Sequence, residues 1–231
     1  MLFNTYDWKQ NKRADTVEEL KEIDKNEKAA VRMQNYFNFI AKSYYRYNGS
    51  FLSFRLLHDR IAILTEAFSM FQKEYHRVQQ TRETLLNYCQ KLNDEEFSQS
   101  NGFGFQSVRD TFIHISDCYY AWLGSFILSK TVTPITPKGK CNQFTLEMIQ
   151  ARFNEVDHFV EEVFTQYGNN LDVTIEKPIP WRKTKESISM SVSKLLMHSI
   201  THEFHHKGQI VAMIRQMGYE PPNTDILRTR D

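Results

Sequence analysis

Four of the eight histidines crowd into one short stretch near the C-terminal end of the chain: His198, His202, His205 and His206. Successive residues of an α-helix turn through about 100°, so residues four apart share a face. His198, His202 and His206 therefore form one stripe, each roughly 6 Å from the next, and two neighbouring members can chelate a single ion. Independent structural histidines have no reason to repeat at that spacing. His205 points about 100° away from His206 and belongs to the surface.

His202 and His206 also frame Glu203 in a literal His-Glu-x-x-His, the pattern that gives zinc peptidases two ligands and a general base. The peptidase reading fails on the third ligand. The position for a third histidine holds Ala212, no histidine follows His206, and Glu220 and Asp225 are the downstream carboxylates before the terminus. A third ligand must come from elsewhere, and the candidates are His58, His76, His114 and His158. His58, His76 and His158 have charged neighbours and read as superficial. His114 sits among Phe112, Ile113, Ile115 and Trp122, where an unpaired imidazole is costly unless it is hydrogen-bonded or metal-bound. The expected metal ligands are therefore His114, His202 and His206, with His198 as core filler, a supporting partner or a fourth ligand. Three imidazoles suit Zn²⁺, Ni²⁺ or another first-row ion and leave a coordination position open for water or substrate.

These side chains need helices to position them, and the chain supplies long stretches without glycine or proline. Residues 16–47 read as one amphipathic helix with Asp15 as N-cap, and residues 51–92 as one long helix or two stacked pieces. After a polar, glycine-containing loop over residues 93–104, Ser107 is placed to cap a helix carrying His114, and Thr145 to open another that Gly168 ends. Residues 171–191 break the helical period and fit a short β-hairpin or irregular segment, before the period returns over residues 192–217. Four helices near 70–92, 107–130, 145–167 and 192–217 make the class all-α, a bundle with its site between facing helices.

The run Ser107-Val108-Arg109-Asp110-Thr111-Phe112-Ile113-His114-Ile115 with Trp122-Leu123 is followed downstream by His198-x-x-x-His202-x-x-x-His206-Lys207-Gly208-Gln209-Ile210 and by Gly218-x-x-Pro221-Pro222-x-x-Asp225. Over about Phe68 to Leu227 this resembles the DinB-like (DNA-damage-inducible) family, with Lys207 in place of the more usual Arg. The resemblance implies an up-down-down-up four-helix bundle, commonly a homodimer, with a metal site at His114, His202 and His206. Some relatives are metal-dependent transferases using bacillithiol, mycothiol or glutathione. Residues 1–65 have no counterpart in the family pattern and read as an N-terminal helical extension, leaving 66–231 as the metal-binding bundle. Gly208 is expected to admit a neighbouring helix, and Gln209 to bond a carbonyl or a ligand imidazole, or to lie free on the surface.

Composition narrows the partners. A formal charge of +1 and no basic groove argue against nucleic acid, and no apolar run approaches the ~20 residues a bilayer requires. Met1 to Ala14 is too polar for a signal peptide, so a soluble cytoplasmic protein acting on a small molecule is expected. Cys89, Cys118 and Cys141 are unpaired by spacing and read as ordinary buried or half-buried thiols. Three functions are open: a metal-dependent S-transferase using a low-molecular-weight thiol, a metal-dependent hydrolase using metal-bound water with Glu203 or a nearby carboxylate moving the proton, and a non-catalytic metal-stabilised interaction module.

Overall fold

The computed structural model describes residues 72–231, Asn169 excepted. The helical extension expected over residues 1–65 lies outside the described residues, as does His58. Helix α1 covers residues 72–89, followed by α2 (Asp94–Ser98), α3 (Val108–Tyr119), α4 (Leu146–Tyr167) and α5 (Val192–Gln216). Strands β1 (Thr174–Pro178) and β2 (Ser187–Ser191) pair antiparallel just before α5, with Ile175 opposite Met190 and Lys177 opposite Ile188.

The long helices begin where short polar side chains satisfy the first orphan N–H groups. Ser107 accepts from the amide of Asp110, Thr145 from that of Met148, and Ser191 from that of Lys194. At the far end of α5, Gly218 adopts φ +88°, a left-handed turn that lets the Tyr219 amide reach back to the Ile214 carbonyl. α2 lies inside the stretch expected to be loop. Its cause was in plain sight: Asn93 and Glu96 form a reciprocal capping box across three residues.

One departure matters for the site. The helix expected over residues 107–130 changes at Tyr120 from α to π geometry and stays so through Ile127. The Leu128 amide accordingly bonds the carbonyl of Leu123, five residues back. Gly124 sits at the crowded part of this segment, where a Cβ would stand 2.7 Å from Thr131 Oγ1 and 2.9 Å from Phe159 Cε2.

α1, α3, α4 and α5 form the bundle around a core that includes Leu85, Phe112, Tyr119, Phe126, Phe153, Val160, Leu195 and Ile210. Partners ascend together along α3 and α4, from Phe112 with Phe153 to Tyr120 with Phe159. They run in opposite order along α3 and α5, from Thr111 with Met213 through His114 with His202 to Trp122 with His198. Parallel α3 and α4, with α5 reversed, is the order an up-down-down-up bundle requires. The parallel pair needs a long crossover, and residues 128–145 supply it. Asp117 anchors that crossover by accepting from the Thr136 amide and hydroxyl, each at 2.8 Å, and from Arg152 at 2.6 Å.

Candidate metal centre

α3 and α5 bring His114, His202 and His206 to one point. Nε2 of His114 lies 3.0 Å from Nε2 of His202. The ring centroids are 4.7 Å apart for His114 and His202, 4.7 Å for His114 and His206, and 4.4 Å for His202 and His206. One donor nitrogen from each ring falls within 4.8 Å of the others. Two nitrogens that each stand about 2.0–2.1 Å from a common ion are themselves roughly 3 Å apart, so the closest pair already has the separation of two ligands on one ion.

The protonation states fit as well. Burial, and then the neighbouring His206, push the His114 pKa down to about 4. Burial followed by the surrounding histidines takes His202 down to about 3, and burial also lowers His206. At neutral pH all three rings are uncharged and keep a lone pair for a cation.

His206 is the most firmly oriented of the three. Its Nδ1–H donates to Gln209 Oε1 at 2.8 Å, which leaves Nε2 as the lone-pair nitrogen, and the amide nitrogen of Gln209 donates in turn to His205 Nε2 at 3.2 Å. Metal-bound histidines ordinarily donate their second nitrogen in this way. Of the roles open to Gln209, the structure shows a bond to the imidazole of His206. Nδ1 of His202, by contrast, is buried with no hydrogen-bond partner, so packing between His198 and His206 fixes that ring.

The loop before α3 closes one flank. At Gly104, φ +56°, a Cβ would lie 2.8 Å from Gln209 Oε1, so a side chain there would have to displace the amide that holds His206. Phe105 follows and stacks on the His114 ring, centroids 3.6 Å apart and 20° from parallel, while meeting His206 edge-on at 5.4 Å. Sequence reasoning missed both residues, because their role depends on a loop conformation that no periodicity encodes. His76, His158 and His205 are exposed, as expected, and so is His198, which is therefore not core filler. Gly208 admits no neighbouring helix: a Cβ there would meet nothing within 4 Å.

Glu203 belongs to a different construction on the adjoining face of α5, about 100° round the axis from His202. Its carboxylate is fully buried and accepts from Arg82 at 3.0 and 3.1 Å and from the Tyr119 hydroxyl at 2.7 Å, with Lys207 Nζ 3.6 Å away. Burial opposes its charge, yet Arg82 and then Lys207 hold its pKa below the ordinary carboxylate value. Arg82 continues to Asp157 at 2.7 Å and to the Tyr75 hydroxyl at 3.1 Å, and Lys207 donates to Thr81. The network joins α1, α3, α4 and α5 directly behind the histidines. It locks the helices that carry the ligands, and it leaves Glu203 unable to serve as a base at the triad.

Residues 68–231 match the family model described as DinB family. The chain is 22% identical over 158 residues to the uncharacterised protein YizA of Bacillus subtilis, covering 64% of this chain and 88% of that one. It is similar to the crystal structure of a DinB-like protein from Bacillus cereus at 23% identity and a TM-score of 0.46, over 66% of this chain and 93% of the other.

Proposed function

The chain belongs to the DinB family, and from that premise we propose that His114, His202 and His206 hold a divalent cation in a metal-dependent S-transferase. The observation that carries this reading is the convergence of three neutral imidazoles on one point, with two donor nitrogens 3.0 Å apart. Zinc or nickel suits such a set. A bound cation supplies Lewis acidity, drawing a coordinated thiol toward its thiolate form.

The chain's own residues contribute orientation and exclusion. Gln209 fixes the tautomer of His206, and Phe105 covers the His114 ring. The cysteines lend themselves poorly to the role of nucleophile: none joins the histidine triad, and burial pushes the Cys89 and Cys118 thiols up to about 12 and raises Cys141 as well. The reading therefore takes its reacting sulfur from a small-molecule thiol such as bacillithiol or glutathione. The hydrolase reading is the weaker one, because Glu203, its nearest general base in sequence, is committed to Arg82 and Tyr119.

Elemental analysis tests the ion, with wild type expected to retain about one metal per chain and His114→Ala and His202→Ala to lose it. Mass spectrometry tests the chemistry: metal-loaded protein with bacillithiol or glutathione and a model electrophile is expected to form adduct faster than His206→Ala. Equal rates would remove the transferase reading while leaving the metal site to the first measurement.

A further inference from the structure

Among the described residues, the triad is roofed on one flank only. Phe105 stacks on His114 and meets His206, but the flank toward the start of α5 is left to His198, which is exposed. His198 stands with its ring centroid 5.6 Å from that of His202. Beyond it lies Trp122, whose ring meets His198 edge-on at 6.0 Å and 90°, and Trp181 meets Trp122 edge-on at 5.1 Å and 82°. Both tryptophans are half-buried. A row of aromatic rings thus runs continuously from a triad histidine out to solvent.

Two irregularities of the fold contribute to this row. In an unbroken α-helix Trp122, eight residues after His114, would lie about 80° round the axis from it. The π geometry beginning at Tyr120 turns each residue through a smaller angle, which brings Trp122 back toward the His114 face. Trp181 comes from the connection between β1 and β2, so the hairpin preceding α5 carries a large aromatic ring to the same place. Because neither tryptophan is fully covered, part of each indole remains open to a ligand, and indole surface favours another planar ring over an aliphatic group of equal size.

We infer that Trp122, Trp181 and His198 form a subsite that binds a planar aromatic group of a small-molecule substrate beside the triad. The inference rests on the proposed metal site for its orientation, since the row leads to His202, but the binding of a ring to the tryptophans is measurable separately. A substrate seated there would present its reacting atom toward the histidines, which makes an aromatic or benzylic electrophile the class expected for the transferase reading.

The probe is 4-nitroanisole, a neutral, planar and unreactive quencher of indole fluorescence, added to the zinc-loaded full chain carrying Trp8→Phe so that emission comes from Trp122 and Trp181. Saturable quenching is expected, not displaced by cyclohexyl methyl ether. Trp181→Leu in that background should weaken binding about tenfold with zinc content unchanged, and Trp181→Phe should restore most of it. Quenching that rises linearly with concentration, or equal affinity in Trp181→Leu and its parent, would overturn the subsite. If Trp181→Leu does not fold, the comparison passes to His198→Ala, an exposed position where the same loss of affinity is expected. Saturable, Trp181-dependent quenching in a protein that binds no zinc would sustain the subsite and reject the metal centre.

Discussion

At the scale of single residues, the triad differs from three surface histidines in how little freedom its rings have. Gln209 holds His206 in one tautomer, and loss of such a supporting bond ordinarily weakens metal affinity by about 10- to 100-fold. Gln209→Leu is expected to fall in that range by calorimetric titration with zinc while the far-ultraviolet circular dichroism stays unchanged. A second expectation concerns acid. The folded pKa values of His114 and His202, about 4 and about 3, lie below the 6.5 of a free imidazole, so unfolding takes up protons as the pH falls. Stability that is fully present above about pH 6.5 is therefore lost as the pH drops toward those folded values. In chelator, the melting temperature should decline between about pH 7 and 5, and the His114→Asn, His202→Asn double variant should show a flatter slope. The three histidines that converge were legible in the sequence for physical reasons: His202 and His206 through helical spacing, His114 through an apolar setting in which an unpaired imidazole is costly. Phe105 and Gly104 were not, since a stacking contact made by a loop residue leaves no periodic trace.

At the scale of elements, the caps at Ser107 and Thr145 and the stop at Gly218 were readable because each is a local hydrogen-bonding or dihedral requirement written in one residue type. The π segment was not readable. Tyr120 to Ile127 is as apolar as any buried α-helix, and its geometry answers to the crowding of Gly124 against Thr131 and Phe159, which is tertiary information. The same limit hid the true part played by Glu203. Its place in His-Glu-x-x-His suggests a base, whereas its position on the helix turns it toward Arg82, where it ties α5 to α1 and α3. Breaking a buried ion pair by removing one charge costs about 3–5 kcal/mol. Glu203→Gln keeps the shape and some hydrogen bonds, so the lower part of that range is expected in urea denaturation. Zinc stoichiometry of the folded fraction should be unaltered. Loss of zinc from that fraction would place Glu203 among the ligands, contrary to the geometry.

At the scale of the whole molecule, an ion held at the candidate site would also act as a clasp. Its donors come from α3 and α5, antiparallel neighbours whose other contacts are a packed apolar face and the buried network behind it. An ion bound to the folded state and not to the unfolded chain stabilises by RT ln(1 + [L]/Kd), about 2.7 kcal/mol at a hundredfold excess over Kd. For a bundle of this size each kcal/mol moves the melting temperature by roughly 2–4 °C. Zinc is accordingly expected to raise the midpoint by about 5–10 °C over chelated protein, measured calorimetrically, and His114→Ala should abolish the increment. The increment should also grow with the logarithm of free zinc, because a linked equilibrium has no fixed ceiling until binding to the unfolded chain begins. A shift that persists in His114→Ala would trace instead to exposed histidines such as His198 and His205, and the bundle would then owe its cohesion to the core and the Arg82–Glu203 network alone.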